Sequence, residues 1–491
     1  MSNVADRFDV LVVGCGIAGL SAAVAALEAG ARVGIVERAP REERGGNTRW
    51  TEAFWRMQSA DMVAHDFESH FMANAGHYLD PDLVRETARD YAQWPAIVKA
   101  MSFSDPEVIA TFGKAAGPTL RWLEGFGLRF DFLPSYLITQ CTTRMAPVGG
   151  GLQLVETLAG EAERRGASFF YQTTAHELLR DEEGAVAGVK VRHRDGRWHD
   201  WRAAAVVLAS GGFEGNPEML ARYVGPNARY TRPVARGGHY NKGEGIRMAL
   251  ALNAAPNGDY SDFHAEPIDP RSGKGEPIVF VFPYGVLVNR RGERFVDEAS
   301  ATVDAIYEKV TRRINEQPQG IAYVILDAKL DEVPNWQRTV RSDQPAIVAD
   351  GMVELAGKLD LPADRLRTTV AAYNAACRPG MFKPLELDGL ATQGLDPVKS
   401  NWARPLDRPP YRAWPIIAAN CFTFGGLKTD ASARVLDLDG EPIAGLYAAG
   451  ETMGLYFGTY TGATSVMRGA VFGRIAGQDG ARRAAGLRQA R

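Results

Sequence analysis

An uninterrupted run of apolar residues at 10–13, close to the start of the chain, is typical of a parallel strand that is buried on both faces. An alanine-rich stretch at 17–29 follows and stops at Gly30, as helices that end at a glycine do. A second apolar run, at 33–36, then ends at an acidic residue. These segments predict a strand, a helix and a second parallel strand joined as one βαβ unit.

The turn between the first strand and the helix carries three glycines with separate physical roles. Gly14 permits a tight turn, Gly16 lets the backbone approach a pyrophosphate, and Gly19 lets the helix pack closely on the strand. The start of the helix offers free N–H groups and a positive dipole end to phosphates. Glu37, about 20 residues further along, is placed to bind ribose hydroxyls. The segment therefore predicts a dinucleotide site.

A second glycine-bearing strand lies near the C-terminus, at 445–451, and a helical run after it reaches Gly477. An enzyme that binds FAD adds such a segment to its dinucleotide site, so that the ribityl chain and the flavin ring are also held. Glu451 is expected to meet the ribityl hydroxyls. The positive end of the helix after Gly462 is expected to stabilise an anionic reduced flavin. The two ends of the chain are therefore predicted to meet around one cofactor.

The rest of the chain shows both helical and strand periodicities. Residues 61–127 are predicted to be helical, for example over 81–101. An amphipathic helix is predicted from Gly151 to about residue 165, and alternating strands separated by turns are predicted over 167–210. From about residue 260 the sequence becomes richer in proline, aromatic and charged residues, which indicates a separate cap.

These patterns predict an α/β protein of two structural parts. One is a Rossmann-like FAD-binding domain of the GR2 type, and the other is an α+β capping domain inserted into it. The cleft between two such bodies is a common place for a small-molecule site. The predicted boundaries are residues 1–259 for the first part of the FAD-binding domain, 260–421 for the cap and 422–491 for the second part of the FAD-binding domain.

Charge and composition narrow the class of protein. A length of 491 residues, 45% hydrophobic and 23% charged, is ordinary for an enzyme of two or three domains. A net charge of -3 favours neither nucleic acid nor an anionic membrane as a partner. The cysteines form no CxxC pair, which argues against a disulfide frame and for a reduced cytoplasmic protein. They are Cys15, Cys141, Cys377 and Cys421.

Two further alternatives are a membrane segment and a metal site. Residues 10–27 contain no charge, but the glycine turn interrupts them, and no basic region precedes them as in a secretory signal. We therefore expect no membrane span. His65, His70 and His77 are close in sequence, but their spacings of five and seven residues suit no common metal motif. We expect no metal.

Several stretches of the chain resemble one flavoprotein superfamily, that of fumarate reductases, succinate dehydrogenases and 3-ketosteroid dehydrogenases. Within it the chain is most similar to FAD-dependent tricarballylate dehydrogenases. The resemblance covers nearly the whole chain. It is carried by Gly45-Gly46-Asn47-Thr48, residues 241–249, Phe263-His264-Ala265, residues 285–298, residues 423–427, residues 448–451 and residues 471–477.

The resemblance implies a bound FAD. Covalent attachment in the succinate dehydrogenase branch uses a histidine shortly after the Gly45–Thr48 loop, and residues 49–56 contain none, so we expect noncovalent FAD. The predicted cofactor-binding residues are Gly14, Gly16, Ala18, Gly19, Glu37, Arg38, Gly45, Gly46, Asn47, Thr48, Gly151, Ala175, Ser210, Gly211, Gly212, Gly450, Glu451, Thr464, Ser465 and Val466.

The chain differs from the related enzymes at several positions of their catalytic and substrate-binding residues. Fumarate reductases have a proton-donating arginine, and ketosteroid dehydrogenases a tyrosine base, four residues after the position of Glu298. Here that residue is Thr302, which hydrogen-bonds but is a poor acid or base. A histidine of fumarate reductases is replaced by Phe422, and their second carboxylate-binding arginine by Tyr460. A tyrosine at this last position is found in the tricarballylate and ketosteroid enzymes.

The resemblance also implies the candidate catalytic residues. His264 stands where the family keeps a substrate-binding histidine. Tyr460, with the N–H of Gly462 or Ala463, is predicted to stabilise an enolate. The remaining acid–base candidates are Thr302, Tyr284, Tyr307 and Tyr136. Carboxylate-binding candidates are Arg144, Arg236 and Arg412.

The predicted function is that of an FAD-dependent oxidoreductase acting on a CH–CH bond α,β to a carboxylate or carbonyl, with hydride passing to flavin N5. Desaturation of tricarballylate or a similar polycarboxylate is the main hypothesis. The alternatives are a cyclic-ketone or 3-ketosteroid-type desaturase and a fumarate-reductase-like ene-reductase. A flavin-fold binding subunit is the non-enzymatic alternative. The partners are a small carboxylate or ketone substrate and an unidentified electron acceptor.

Overall fold

A computed structural model describes residues 7–73, 86–87, 89–132 and 144–490. Its strands are β1 (Arg7–Val13), β2 (Val33–Val36), β3 (Phe130–Phe132), β4 (Met145–Pro147), β5 (Ser168–Phe170), β6 (Thr173–Arg180), β7 (Val186–His193), β8 (Trp198–Leu208), β9 (Arg232–Pro233), β10 (Pro256–Asn257), β11 (Phe263–Ile268), β12 (Val286–Asn289), β13 (Ile321–Leu326), β14 (Ile347–Ala349), β15 (Tyr411–Thr423), β16 (Gly426–Leu427), β17 (Arg434–Leu436) and β18 (Pro442–Ala448).

The α-helices connect these strands and cover the sheets. They are α1 (Ile17–Glu28), α2 (Phe67–Ala73), α3 (Ala96–Lys99), α4 (Pro106–Glu124), α5 (Gly150–Arg164), α6 (Pro217–Tyr223), α7 (Glu244–Leu250), α8 (Val303–Asn315), α9 (Met352–Leu359), α10 (Ala363–Ala376) and α11 (Ser465–Gln489). None of the described helices is both long enough and apolar enough to cross a bilayer.

The first sheet brings the two ends of the chain together. Its strands run in the order β17, β18, β8, β1, β2, β5, and β6 and β7 continue from β8 as antiparallel strands. The central strands β18, β8, β1 and β2 are parallel. Val13, Leu208 and Ala448 are aligned across three of them, so the segments that follow these strands emerge at one edge of the sheet.

Helices α1 and α11 pack closely against each other on one face of this sheet. Gly469, Gly473 and Gly477 recur every fourth residue along α11, on the side that meets α1. A Cβ on Gly473 would lie only 2.2 Å from the Ala18 carbonyl oxygen. The absence of side chains at these positions therefore lets the last helix approach the first one, which fixes the position of the C-terminal segment.

The second sheet belongs mainly to the predicted cap. Its strands run in the order β11, β15, β13, β12, with β14 and β9 also paired to β15. Alternate residues face opposite sides, so Val286 and Val288 pack with α9 and α10, whereas Leu287 packs with α8. The sheet is therefore covered by helices on both faces. The strand β9, at Arg232–Pro233, precedes the predicted boundary at residue 260 and pairs with β15 near Ala419.

Most predicted elements agree with the structure, and one does not. The first helix, the amphipathic helix and the strands over 167–210 are present within one or two residues of their predicted bounds. The predicted helix over 81–101 begins outside the described residues. Its remaining part contains only a 3₁₀ turn, Tyr91–Gln93, and the four-residue helix α3. The prediction of one continuous helix is wrong there, because Pro95 interrupts it.

Candidate active site

One cavity of about 440 Å³ lies between the two sheets. One end is lined by the glycine turn after β1 and by the segments after β8 and β18. The other end is lined by side chains from β11, β15 and α8. We call these the nucleotide end and the substrate end. The cavity size is in the range typical of ligand sites.

The nucleotide end is built largely from backbone. Gly14 has φ +109°, and a Cβ there would lie 2.2 Å from the Ala209 carbonyl oxygen. A Cβ on Gly19 would lie 2.0 Å from the Gly14 carbonyl oxygen. Helix α1 begins after Gly16 without a side-chain cap, and the Ile17 N–H donates to Thr48 Oγ1 at 3.2 Å. This turn is a cradle that a phosphate can enter and a side chain would fill.

Glu37 holds the backbone around this cradle. Its two carboxylate oxygens accept from the backbone N–H groups of Cys15 at 2.8 Å and Ala39 at 2.7 Å. Burial raises the pKa of Glu37 above its usual value, and the same N–H groups oppose that rise. Each oxygen keeps a further lone pair, so hydroxyl donors of a ribose can be accepted as well. Arg38 is ion-paired with Glu244 beside it.

A second acidic residue, Glu451, lies at the carboxyl end of β18. Its Oε1 accepts from the backbone N–H of Thr423 at 2.7 Å. It neighbours Glu214, whose pKa is raised well above the usual range by burial and by Glu451. The amides of Asn47 and Asn241 each donate to Glu214 at 2.6 Å. Hydrogen bonds from these neutral amides, together with the nearby Arg468, stabilise the buried pair.

The predicted cofactor-binding residues fall into two groups. Most line the cavity: Gly14, Gly16, Ala18, Glu37, Arg38, Gly45, Gly46, Asn47, Thr48, Ala175, Ser210, Gly211, Gly450, Glu451, Ser465 and Val466. The others lie behind the wall: Gly19, Gly151, Gly212 and Thr464. Among the described residues, the buried Ser210 hydroxyl has no hydrogen-bond partner. The cradle, which a Cβ on Gly14 would fill, fits a bound dinucleotide.

Aromatic rings dominate the substrate end. The ring of His264 lies 4.5 Å from that of Tyr460 and 5.1 Å from that of Phe422, between centroids. Tyr307 and Phe280 extend this wall and lie 5.2 Å from each other. An apolar or planar molecule would find close contacts here.

His264 is neutral and oriented by a neighbour. Burial, with Arg312 and Arg144 nearby, lowers the pKa of His264 to about 3. Its Nε2 lies 2.7 Å from the Tyr307 hydroxyl oxygen. If the tyrosine donates this bond, the imidazole carries its proton on Nδ1. Within the described part of the chain, that buried Nδ1 has no hydrogen-bond partner.

The Tyr460 hydroxyl stands at the start of α11. Its oxygen accepts from the backbone N–H groups of Thr464 and Ser465, each at 3.0 Å, and its proton is directed to Ser465 Oγ at 3.1 Å. Gly462 and Ala463, whose N–H groups are predicted to act with Tyr460 on an enolate, also line the cavity. The tyrosine still lines the cavity.

The other predicted acid–base residues lie elsewhere. Thr302 is buried and donates to Asp304 at 2.7 Å, and Tyr284 donates to the Pro384 carbonyl oxygen at 2.7 Å among cap residues. Neither lines the cavity, so the structure does not bring them to His264. Tyr307 does line it, and Tyr136 lies outside the described residues.

The arginine candidates divide in the same way. Arg144 lines the substrate end, and its Nη2 lies 3.9 Å from Asp304 Oδ2. Arg236 is paired with Glu43 and largely exposed, and Arg412 is paired with Asp331. Of these three arginines, Arg144 is therefore the one that lines the substrate end.

Sequence reasoning missed a group of charged residues at the substrate end. Glu266, Glu276, Arg338 and Arg341 line the cavity. Burial raises the pKa of Glu276 to about 8. The signal that was available is an acid two positions after His264 in an otherwise apolar strand. Donor atoms of His264, Glu266 and Cys421 lie within 4.8 Å of one another, a set of ligand types that can hold a metal ion.

Comparison with known proteins agrees with this arrangement. Residues 9–466 match the family described as FAD binding domain. A probable fumarate reductase, Ifc3, of Shewanella frigidimarina is 27% identical over 98% of this chain and 76% of its own length. Vinyl phenol reductase of Lactiplantibacillus plantarum is 26% identical over 93% of this chain and 92% of its own. The structure of 3-ketosteroid-Δ4-(5α)-dehydrogenase from Rhodococcus jostii RHA1, with 4-androstene-3,17-dione, aligns at a TM-score of 0.67 and 25% identity, covering 98% of each chain.

Proposed function

Since this chain belongs to the FAD binding domain family, we propose that it moves a hydride and a proton across a CH–CH bond next to a carbonyl or a carboxylate. The predicted superfamily, the fold class and the FAD cofactor are confirmed by this membership and by the matched structures. The chain is accordingly an FAD-dependent oxidoreductase that acts on carbon–carbon bonds. The reaction direction and the substrate belong to the proposal.

One observation carries the proposal: a single cavity joins the glycine cradle to the neutral His264. The cradle after β1, together with Glu37 and Glu451, would hold the cofactor, noncovalently. When bound, FAD supplies a hydride acceptor or donor at its N5 atom. A substrate carbon next to an activating oxygen would occupy the other end of the same cavity.

His264 would bind the activating oxygen. If Tyr307 donates to Nε2, the proton lies on Nδ1, a buried atom without a partner among the described residues, and a small rotation of the ring would direct it to a carbonyl or carboxylate oxygen. A neutral imidazole can stabilise the negative charge that develops on that oxygen without becoming an acid itself. The Tyr460 hydroxyl, whose oxygen already accepts two backbone N–H bonds, can turn its proton from Ser465 to the same oxygen.

The walls of the substrate end favour a substrate with a planar or apolar body and one activating group. Phe280, Phe422 and Tyr307 provide that surface. The related enzymes named for vinyl phenol and a ketosteroid act on molecules of this kind. A polycarboxylate such as tricarballylate is the second candidate, supported by three arginines on the wall, namely Arg144, Arg338 and Arg341. It ranks second because Arg341 is already paired with Glu52 and Glu276.

The cellular setting is also part of the proposal. Cys15, Cys377 and Cys421 are buried thiols without disulfide partners among the described residues. This supports the cytoplasmic location that we infer.

An anaerobic titration tests this function. Purified protein loaded with FAD is mixed under nitrogen with 4-androstene-3,17-dione, cinnamate, fumarate or tricarballylate, before and after reduction by dithionite. We expect at least one ketone or aromatic acid to bleach or restore the flavin absorbance. A protein that stays colourless with added FAD would instead support the binding-subunit alternative. A yellow protein that none of the four compounds affects would contradict the proposed substrate classes.

Replacing His264 tests its role in the same assay. His264→Gln should lower turnover by roughly one to three orders of magnitude, because a poorly placed amide replaces the donor to the developing oxyanion. FAD content should remain that of the wild type, since His264 stands at the substrate end. Tyr307→Phe is the matched control, which keeps the imidazole and removes only its orienting bond, so it should cost less. Unchanged turnover in His264→Gln would remove this residue from the mechanism.

A further inference from the structure

We propose that Glu266 is the group that moves the proton to and from the substrate carbon, an inference that rests on the function proposed above. The position that carries an arginine or a tyrosine in the related enzymes is Thr302 here. That hydroxyl is buried, donates to Asp304 and does not line the cavity. The group that replaces it must therefore stand on the cavity wall.

Strand geometry places Glu266 on that wall beside His264, and a β-bulge in the partner strand adds Cys421 to it. The two residues are two positions apart on β11, the spacing of side chains on one face of a strand. The register between β11 and β15 shifts between His264 and Ala265, which leaves Cys421 as the extra residue on β15. The side chains of His264, Glu266 and Cys421 all line the substrate end. One nitrogen, oxygen or sulfur atom of each lies within 4.8 Å of those of the other two. Glu266 therefore stands next to the residue proposed to bind the activating oxygen.

The surroundings of Glu266 let it exchange a proton near neutral pH. Burial raises the pKa of Glu266 to about 7, and the carboxylates of Glu52 and Glu308 act in the same direction. Arg341 and a hydrogen bond from Cys421 oppose that rise. A general acid or base is most effective when its pKa lies near the working pH.

The neighbouring titratable groups are less suited to the task. Burial lowers the pKa of His264 to about 3 and raises the pKa values of Tyr307 and Cys421 well above their usual ranges. Glu276 titrates at a pKa of about 8, but Arg341 Nη1 lies 3.5 Å from its Oε2. Of these five titratable groups, the Glu266 carboxyl is the one best suited to exchange a proton near neutral pH.

The proposed step is a proton transfer coupled to loss of a hydride. In the dehydrogenation direction, the α-carbon C–H bond breaks and its proton joins the Glu266 carboxylate. The electron pair left on carbon forms the C=C bond while the β-carbon loses a hydride to the cofactor, so the substrate is oxidised by two electrons. In the reverse direction, the carboxylic acid gives its proton to the α-carbon and becomes a carboxylate.

Glu266→Gln tests this step because it keeps the shape of the side chain and removes its acidity. With any of the four named compounds that the wild type converts, turnover should fall by roughly 10² to 10⁴-fold, the usual contribution of general acid–base catalysis. FAD content and the thermal unfolding midpoint should stay close to wild type. Glu266→Asp should recover part of the rate, and formate should partly restore Glu266→Ala. Equal turnover in Glu266→Gln and wild type would overturn the proposal.

Two readouts separate this proposal from a structural role and from the proposed function. The pH profile of kcat should lose its inflection near pH 7 in Glu266→Gln. Infrared difference spectra of the wild type should show a carboxylic acid C=O band that titrates near the same pH and is missing in the variant. Because this band needs no turnover, it decides the question even if no compound is converted. A wild type without such a band between pH 6 and 8 would contradict the proposal.

Metal analysis tests the alternative that His264, Glu266 and Cys421 bind a metal ion. Purified wild type should contain no stoichiometric transition metal, and EDTA should leave turnover unchanged. A metal present at one equivalent and lost in Cys421→Ser would overturn the proposal, because a carboxylate bound to a metal cannot carry the proton. Cys421→Ser is also the matched neighbour of Glu266→Gln, and it should retain the inflection near pH 7.

Discussion

The two ends of the cavity are built from different materials. The nucleotide end consists of glycines, backbone N–H groups and the first turns of α1 and α11, with Glu37 and Glu451 bonded to backbone. The substrate end consists of rings and titratable side chains, such as His264 and Glu266, whose pKa values are displaced by burial. The nucleotide end depends on the close approach of backbone segments. The substrate end depends on the protonation states of its side chains.

This difference has a consequence for how each end responds to change. The glycine turn cannot accommodate an added methyl group, because the atoms next to Gly14 and Gly19 belong to the main chain and cannot rotate away as a side chain can. A side-chain site can lose one functional group and keep its shape. Substitutions at the nucleotide end should therefore remove the cofactor or destabilise the fold, whereas substitutions at the substrate end should alter chemistry and leave FAD bound.

Gly14→Ala should have the largest effect on cofactor binding. The new Cβ would lie 2.2 Å from the Ala209 carbonyl oxygen at a φ of +109°, so β1 and the segment after β8 must separate. A residue other than glycine in such a conformation costs about 1–3 kcal/mol before any clash. We expect FAD to bind at least roughly 100-fold more weakly, about 2.8 kcal/mol. The measurement is FAD affinity by fluorescence titration of the apoprotein.

Gly30→Ala is the control for this prediction. Gly30 also has a positive φ, +77°, but a Cβ there would meet nothing within 4 Å. It should cost about 1–2 kcal/mol of stability from the left-handed backbone alone and leave FAD affinity unchanged. Equal losses of FAD affinity in both variants would mean that backbone strain, and not closure of the cradle, is responsible.

The nucleotide end is also the part that the sequence predicts best. The turn chemistry at Gly14, Gly16 and Gly19 requires specific residue types at fixed spacing, and apolar periodicity reports the flanking strand and helix. The acid at Glu37 follows from the same unit. These features are local, so they can be recognised from the sequence. The N- and C-terminal strands lie in one sheet and are aligned, as predicted.

The substrate end is harder to predict from the sequence, because its residues meet only through contacts between distant segments of the chain. Glu266 comes near Cys421 because strands about 150 residues apart in sequence pair with each other. A bulge in β15, which no local sequence pattern predicts, brings Cys421 to the cavity wall. Thr302 occupies the position of the family's acid or base and Tyr284 is a candidate by residue type, yet both side chains bond within the cap. Position in a motif therefore indicated the neighbourhood but not which group faces the substrate.

Gly473→Ala tests the close approach of the two helices. Alanine favours helix over glycine by about 1 kcal/mol, but here its Cβ would lie 2.2 Å from the Ala18 carbonyl oxygen. The clash should outweigh propensity and destabilise the protein by about 1–3 kcal/mol. Gly486→Ala, in the same helix with nothing within 4 Å, should instead stabilise it by about 0.5–1 kcal/mol. Urea unfolding of both variants with saturating FAD measures this contrast, and two shifts of the same sign would contradict the packing argument.

The last prediction concerns pH and the carboxyls of the substrate end. Burial raises the pKa of Glu266 to about 7 and that of Glu276 to about 8, whereas both titrate near about 4.3 in an unfolded chain. The stability linked to these groups is therefore fully present below about pH 4 and is lost as pH rises through 7 to 8. His264, with its pKa lowered to about 3, acts oppositely, since its contribution is lost as pH falls below about 6.5.

The double variant Glu266→Gln/Glu276→Gln isolates the carboxyl contribution, because it keeps His264 unchanged. The free energy of unfolding in urea should fall more between pH 5 and pH 8 for the wild type than for this variant. The difference should be at least about 1 kcal/mol, because a displacement of one pKa unit between the folded and the unfolded protein corresponds to about 1.4 kcal/mol. A variant with the same pH slope as the wild type would show that these carboxyls are ionised in the folded protein at neutral pH. The substrate end would then hold fixed charges and no exchangeable proton, and the contrast between the two ends of the cavity would lose its chemical basis.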